Sequence, residues 1–475
     1  MWLSSLRRSQ TSISQRGRAQ HRLLASRFRP WLEALENRCL PSTLTVTSSA
    51  DTGPGSLRYA IWGARSGDTI VFAPNNVYGR MTITLNRELA INKSLTIQGG
   101  GLVTITCYIT DQDRVFDVFT LSSLHPTPVQ VTLSGLTIEG GHGLGSQENA
   151  YGGGIFNSAT LTVSNCLITN NRCNLFGGGI ANSGTLTVSG CTFLGNSGGI
   201  FNGFLGGTPG NASLTNCTFS NNGGSGLFLD RGTTTTVTNC TFANNRGPGI
   251  GINHLGGTLN LTNTIAAGNT GGDIVGAVTT ADHNLVGDGT GSTGIVNGVN
   301  GNIVGGNGNP VINADLGPLQ NNGGPTQTMA LLTGSPAIGH ADNSKAPATD
   351  QRGVTRLDTA GETTDIGAFE LTGTGSASAP TFRLTTLATA PGASIPVNTV
   401  PAAEVTSGNV GNADAHVDMV PFNNTDSAVG RTSDAVLRTT ARKSGNHKTE
   451  TAVVDELFLR LSEASELIDI GAFEL

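Results

Sequence analysis

Few ionisable side chains occur in the repetitive middle of this 475-residue chain, and one small group of them could act together. The ionisable residues there are Glu148, Arg172, Asp230, Arg231, Arg246 and Asp273, with His142 and His254. Aligning consecutive repeats places Asp230 beside Asn253 and Arg231 beside His254. A carboxyl group next to a guanidinium and an imidazole could act in general acid–base catalysis on a polysaccharide. Asp230, Arg231 and His254 are therefore the candidate catalytic residues.

The same three residues also fit a solvated corner that happens to be polar. Inverting hydrolysis of a sugar chain needs two carboxyl groups with room for a water between them. No second carboxylate falls in the strand column of Asp230. We therefore expect no catalysis, and keep a polysaccharide lyase, hydrolase or epimerase as the alternative.

Composition narrows the class of protein. Glycine is abundant, at 67 residues, and charged residues make up only 13 % of the chain, which does not suit a helical bundle or a charge-driven disordered protein. The net charge of -6 predicts no nucleic-acid partner, because phosphate binding needs clustered basic residues. No apolar run is long enough for a transmembrane helix.

Three short cassettes recur in fixed order and predict the architecture that positions those side chains. They are a glycine-rich one such as Gly152–Asn157, a strand-like one such as Thr160–Val163, and one beginning with Asn-Cys or Gly-Cys. The third cassette repeats at Cys166, Cys191, Cys217 and Cys240, with spacings of 25, 26 and 23 residues. Periods of this size indicate stacked units, and three strands per period without a helix predict an all-β parallel β-helix over residues 94–304.

Stacking in register would place equivalent side chains one above another in a column, with about 4.8 Å between neighbours in the same column. We interpret the cysteine column as small apolar core residues, with vertical disulfides as the alternative. Asn171, Asn196, Asn222 and Asn245 suit left-handed corner conformations and amide pairing between coils. Seven cysteines without a CxxC pair, and no EF-hand or calcium nonapeptide spacing, lead us to expect no metal and no cofactor.

The repeats resemble those of a known family. The sequence GGGI at Gly152–Ile155 and Gly177–Ile180, with FxxN at Phe193–Asn196, Phe219–Asn222 and Phe242–Asn245, resembles the GGAI and FxxN repeats of chlamydial polymorphic outer-membrane proteins. Those proteins belong to the pectin-lyase-like superfamily, so the resemblance implies a right-handed parallel β-helix.

Two segments precede the repeats. Residues 1–41 are rich in arginine, and we interpret them as a leader or export segment, with a disordered basic arm as the alternative. Trp31–Arg38 resembles the LExLExR leader of planctomycete surface proteins. Residues 42–93 predict a strand and a short helix that cap the solenoid, with Ser56 as N-cap. Gly55–Ile61 resembles the CSLREAI-type element found before many bacterial β-helices.

Residues 305–371 resemble the closing module of choice-of-anchor Q proteins, which implies a C-terminal cap on an exported protein. The matching elements are Leu316–Leu319, Asn322–Thr326, Gly334–Ile338, Thr349–Gly353 and Asp365–Glu370. We expect Asp350, Arg352, Asp365 and Glu370 to form ion pairs that fix this cap at the sheet end. Beyond it we predict a disordered linker over 372–452 and, over 453–475, a short helix at Val453–Leu467 followed by Asp469–Leu475, which repeats Asp365–Leu371.

These patterns together predict a non-catalytic, bacterial extracellular or cell-surface scaffold of adhesin type. Its partners would be an extracellular glycan or another surface protein, contacted by corner loops such as Gly203–Gly210 and His142–Ala150. A purely architectural spacer is a further alternative.

Overall fold

The computed structural model describes residues 40–73, 79–107, 113–120, 129–144, 150–205, 208–356 and 363–372, and four short strands between residues 415 and 461. Glu148 and almost all of the predicted leader lie outside these residues. The chain divides into two units, Met1–Ala379 and Pro380–Leu475, which we treat separately.

The N-terminal part contributes strands to the stack and one helix. Its elements are β1 Thr43–Val46, α1 Leu57–Gly63, β2 Thr69–Phe72, β3 Met81–Leu85, β4 Leu89–Ile91, β5 Leu95–Cys107, β6 Phe116–Val118, β7 Gln130–Glu139 and β8 His142–Gly143. The Ser56 hydroxyl accepts a hydrogen bond from the Tyr59 backbone N–H at 3.2 Å, so the predicted N-cap is confirmed. Parallel pairing of β1 with β2 and of β2 with β5 carries the stack upstream of residue 94.

The repeats form successive coils of three short strands. They comprise β9 Ile155–Asn157, β10 Thr160–Ser164, β11 Leu167–Thr169, β12 Arg172–Cys173, β13 Ile180–Asn182, β14 Thr185–Ser189, β15 Thr192–Leu194, β16 Ile200–Asn202, β17 Phe204–Leu205, β18 Thr208–Pro209, β19 Asn211–Thr215, β20 Thr218–Ser220, β21 Leu227–Leu229, β22 Thr234–Thr238, β23 Thr241–Ala243, β24 Ile250–Ile252, β25 Thr258–Thr262, β26 Ile265–Ala267, β27 Ile274–Ala277, β28 Thr280–Asp282, β29 Leu285–Val286, β30 Ser292–Thr293 and β31 Ile303–Val304. Equivalent strands pair in parallel and in register from coil to coil, as in β10–β14–β19–β22 and β9–β13–β16–β21. The predicted parallel β-helix is confirmed.

The core consists of continuous columns of like side chains. The rings of Phe193, Phe219 and Phe242 stack with centroids 4.5 Å apart at each step and planes tilted by 8° and 6°. Cys166, Cys191, Cys217 and Cys240 follow one another in register and are fully buried as free thiols. Burial raises the pKa of the Cys191 and Cys240 thiols, so these side chains serve as neutral core residues.

A ladder of buried asparagines turns the chain at one corner. The Nδ2 group of each donates to the Oδ1 atom of the next along Asn171, Asn196, Asn222, Asn245 and Asn269, at 2.8–3.1 Å. The predicted amide pairing is therefore confirmed, but the left-handed assignment is wrong by one residue. The positive φ angles belong to the preceding residues, Asn170, Gly195, Asn221, Asn244 and Gly268, because the interior amides must point into the stack.

The segment after the last coil folds back along the side of the stack. Its regular elements are β32 Leu316–Gln320 and β33 Thr328–Leu331, an antiparallel pair. Ile265 and Leu285, which face outward from β26 and β29, pack with Ile366 and Phe369 in a second apolar cluster. The sequence led us to expect 305–371 at the sheet end. The described residues 316–356 and 363–371 lie along the side of the solenoid, where outward-facing apolar side chains offer a lateral surface to bury.

In the second unit the structure describes β34 Ala415–Asp418, β35 Ser433–Val436, β36 Arg438–Ala441 and β37 Phe458–Leu461. β34 pairs with β36, and β35 with β37, both antiparallel. The predicted helix at Val453–Leu467 is wrong at Phe458–Leu461, where cross-strand pairing with Ser433–Val436 replaces a helical turn. The rest of residues 373–475, including the duplicated Asp469–Leu475, lies outside the described residues.

Candidate functional site

The predicted catalytic residues follow two paired strands, Asp230 and Arg231 after β21 and His254 after β24. Pairing of Leu227 with Ile250 gives the expected alignment, and the Asn253 amide donates to Asp230 Oδ1 at 2.7 Å. The backbone N–H of Arg231 donates to the same oxygen at 2.8 Å. Arg231 and His254 are exposed to solvent. Asp230 therefore lies beside Asn253, and its carboxylate acts there as a hydrogen-bond acceptor for the turn.

We call the residues that fold back along the side of the solenoid, 316–356 and 363–371, the lateral segment. Its charged residues form a buried cluster, as predicted, and Arg356 is a member that the sequence analysis did not name. Arg352 pairs with Asp350 at 2.7 Å, and Arg356 pairs with Glu370 at 3.0 Å. Burial, followed by the nearby Asp365 carboxylate, raises the pKa of Glu370 to about 7. Burial lowers the pKa of Arg356 and raises that of Asp365. These groups lie inside a packed interface and are out of reach of a polymer substrate.

This segment also occupies the outer face of β15, β20 and β23. Thr218 donates from Oγ1 to Gln351 Oε1 at 2.6 Å, and Gln351 Nε2 donates to Thr192 Oγ1 at 3.0 Å. The Ala368 backbone N–H donates to Thr241 Oγ1 at 3.1 Å. The three threonines are consequently buried although they point away from the core. This face is covered by the chain itself and cannot receive an extended ligand.

One cluster has the residue types of a metal site. Asp282, His283 and Asp342 present ligand atoms within 4.8 Å of one another. The Lys345 ammonium donates to Asp282 Oδ2 at 2.6 Å and lies 3.2 Å from Asp342 Oδ2. The ammonium already supplies the positive charge between the carboxylates, so a cation would have to displace it.

An open groove lies at the corner formed by the asparagine ladder. The residue after each ladder asparagine faces outward, and backbone hydrogen bonds align Arg172, Ser197, Gly223 and Arg246 in one column. The N–H groups of Ser197, Gly223 and Arg246 each donate to the carbonyl of the ladder asparagine one coil earlier, at 2.9, 2.7 and 2.9 Å respectively. The small residues in the middle leave a depression between the two arginines, which we call the corner groove.

The described walls of the corner groove carry guanidinium and amide groups. Its volume is about 470 Å³, and its walls include Arg172 and Arg246, the exposed amides of Asn221 and Asn244, and Leu144. No carboxylate of the described residues lines it, and neither arginine has an acidic partner within the described part of the chain. The groove can hold a ligand by charge and hydrogen bonds, and the described side chains of its walls supply no acid–base pair.

The loop after Arg172 joins the corner groove to a group of aromatic rings. Phe176 stacks on Phe201 and Phe228 with centroids 5.1 and 5.4 Å apart, and Tyr151 stacks on Phe201 at 5.6 Å. Phe176 retains 46 % exposure, so this group of rings offers an apolar surface to solvent.

Sequence reasoning named Arg172 and Arg246 singly and did not bring them together. The signal that unites them is positional, since each directly follows an interior asparagine and they are separated by three repeat periods. The register of the asparagines would have sufficed to align them.

Comparison with known proteins agrees with this architecture. No curated protein matches the chain. A family model described as a right-handed β-helix region matches residues 130–313, which include every coil that forms the corner groove. The chain therefore contains a right-handed parallel β-helix.

Proposed function

We propose that this protein is a non-catalytic, exported β-helix scaffold of adhesin type that binds an extracellular glycan along its corner groove. The observation that carries the proposal is the groove itself, an open surface that spans several coils and whose described residues bring guanidinium and amide groups but no carboxyl group. A stack of coils with tightly packed columns gives a rigid support for such a surface.

Export to the bacterial cell surface is part of the same proposal. It is supported by the resemblance of Trp31–Arg38 to a surface-protein leader and of residues 305–371 to the module of choice-of-anchor Q proteins. No described helix is long and apolar enough to cross a membrane. Fractionation of cells that carry the protein tests this point, with recovery in the extracellular or envelope fraction as the expected result.

Binding without turnover is tested with the full chain on a glycan array and in parallel with a panel of soluble polysaccharides. We expect retention of at least one glycan class and no release of shorter products. Asp230→Ala should leave binding unchanged, because that carboxylate is hydrogen-bonded within its own corner. Depolymerisation that is lost in Asp230→Ala would establish the enzyme instead, and absence of binding to every glycan would refute the proposed function.

A further inference from the structure

We infer that the corner groove selects anionic glycans, whose carboxylate or sulfate groups are held by Arg172 and Arg246 at its two ends. This inference rests on the proposed glycan-binding function and adds the chemical class of the ligand.

The distance between the two arginines fits a chain laid across the coils. Arg172 and Arg246 occupy equivalent positions three coils apart, with Ser197 and Gly223 between them. At about 4.8 Å per coil their backbones are roughly 14 Å apart. The two cations can therefore contact separate acidic groups of one oligosaccharide, and a single small anion cannot bridge them along the column.

Charge distinguishes this groove from the rest of the molecule. The whole chain carries a net charge of -6, yet the described residues that line the groove contribute two arginines and no acid. Arginine presents a planar set of N–H donors that matches carboxylate and sulfate oxygens in a bidentate arrangement. The net negative charge of the protein repels anions, whereas the two arginines of the corner groove attract them locally.

The middle of the groove suits a hydroxyl-rich ligand better than a protein. Asn221 and Asn244 offer both amide donors and acceptors, and the small residues between the arginines leave room for a sugar ring. A protein interface of useful affinity centres on a desolvated apolar core with aromatic anchors, and the described walls of the groove offer Leu144 and Cys173 but no aromatic side chain.

Gly223 provides a way to test the groove without disturbing the fold. Its φ lies outside the left-handed region, and a Cβ built on it would be 3.7 Å from the nearest atoms, which is ordinary contact. Gly223→Glu places a negative charge between the arginines, one coil from Arg246 and two coils from Arg172, whereas Gly223→Gln has nearly the same size without the charge.

The experiment measures affinity by calorimetry for three oligosaccharides of equal length: one of uronic acid units, one sulfated and one neutral. We expect both acidic probes to bind and the neutral one to bind at least tenfold more weakly. Arg172→Ala and Arg246→Ala should each weaken acidic binding about tenfold, since each removes charge-assisted hydrogen bonds. Gly223→Glu should weaken it more than Gly223→Gln, and rising salt should weaken it throughout.

The outcomes separate this inference from the proposed function. If the neutral oligosaccharide binds as well as the acidic ones, or if both arginine variants retain full affinity, the protein still binds glycans but the inference is wrong. If no oligosaccharide binds, the proposed function fails first. Preferential binding of an acidic peptide, included as a fourth probe, would replace the glycan by a protein partner. Unchanged circular dichroism of the variants excludes misfolding as the cause.

Discussion

Two neighbouring columns of side chains in this solenoid, offset by a single position in the sequence, differ in residue type and in burial. The inner column of Asn171, Asn196, Asn222, Asn245 and Asn269 repeats one residue type, and all five are buried. The outer column that follows runs through Arg172, Ser197, Gly223, Arg246 and Thr270, which differ in size and charge. At the inner position the side chain must make the buried hydrogen bonds between coils, so the residue type is the same in each coil. At the outer position the side chain faces solvent, so the residue type can vary and the position can carry function.

The end of the inner column shows what the stack requires. The backbone N–H and the amide Nδ2 of Asn269 both donate to Asp273 Oδ1 at 2.9 Å. A carboxylate can accept both of these bonds, but it has no side-chain N–H to donate to a further coil. The ladder therefore ends at this residue. Burial raises the pKa of Asp273. This ionisable residue, one of the few in the repeats, therefore has a structural place beside the last asparagine.

The strongest test of the inner columns is Phe219→Ala. Phe219 is fully buried between Phe193 and Phe242, so the change leaves a cavity and should lower the free energy of unfolding by about 3–5 kcal/mol. Denaturant unfolding followed by circular dichroism measures it. The matched control is Phe176→Ala, whose ring is 46 % exposed. Equal losses for the two variants would contradict the distinction between inner and outer side chains.

A smaller loss is expected for Asn222→Ala. Asn222 donates from Nδ2 to Asn245 Oδ1 at 2.8 Å and accepts from the backbone N–H of Asn196 at 3.0 Å. Removal leaves the buried Asn196 N–H without its acceptor and takes one of the two donors from Asn245 Oδ1, which should cost about 1–3 kcal/mol by the same measurement. Gly223→Ala, one position later, should cost nothing or stabilise slightly, because its Cβ meets only ordinary contacts. A neutral Asn222→Ala would show that the ladder contributes little to stability.

The lateral segment sharpens the comparison, because it buries an outer face of the solenoid. The stability of this segment should depend on pH. The folded-state pKa of Glu370, about 7, exceeds the ordinary value of 4.5, so the folded protein binds more protons between these values. Stability of the segment should therefore rise as the pH falls from above 7 toward 4.5, in the same direction as the raised pKa of Asp365.

Limited proteolysis of the full chain across this pH range measures that dependence, with Glu370→Gln as the comparison. The variant carries no titrating group at this position, so its protection should change less between pH 4.5 and 7. Protection that increases with pH in the unaltered protein would show that the ion pair with Arg356 outweighs the cost of burying Glu370.

Much of the solenoid could be predicted from sequence because its rules are local and repeat. The spacing of Cys166, Cys191, Cys217 and Cys240 set the coil length, and parallel stacking fixed the contacts. The one-residue error over the left-handed corner arose because either of two consecutive residues, such as Asn170 and Asn171, could take the positive φ, and the composition of the turn does not say which.

The position of the lateral segment was harder to predict because it depends on contacts between distant residues. The relevant signal is the outward position of the strands after the cysteines, which is Thr192, Thr218 and Thr241 in earlier coils and changes to Ile265 and Leu285 later. An outward apolar residue in two successive coils indicates that something covers it. Arg356, the partner of Glu370, carries no comparable signal, since a single arginine in a loop fits many roles.

The smallest effect on stability is expected where we propose the largest effect on binding. Arg172→Ala and Arg246→Ala each remove an exposed side chain without an acidic partner in the described part of the chain, so the free energy of unfolding should change by less than about 0.5 kcal/mol. Thermal and denaturant unfolding of both variants, beside Asn222→Ala, measure this. A loss as large as that of Asn222→Ala would mean that the arginines stabilise the corner itself. Their presence in an otherwise sparsely charged repeat would then be explained by folding, and the corner groove would lose its strongest reason to be a binding site.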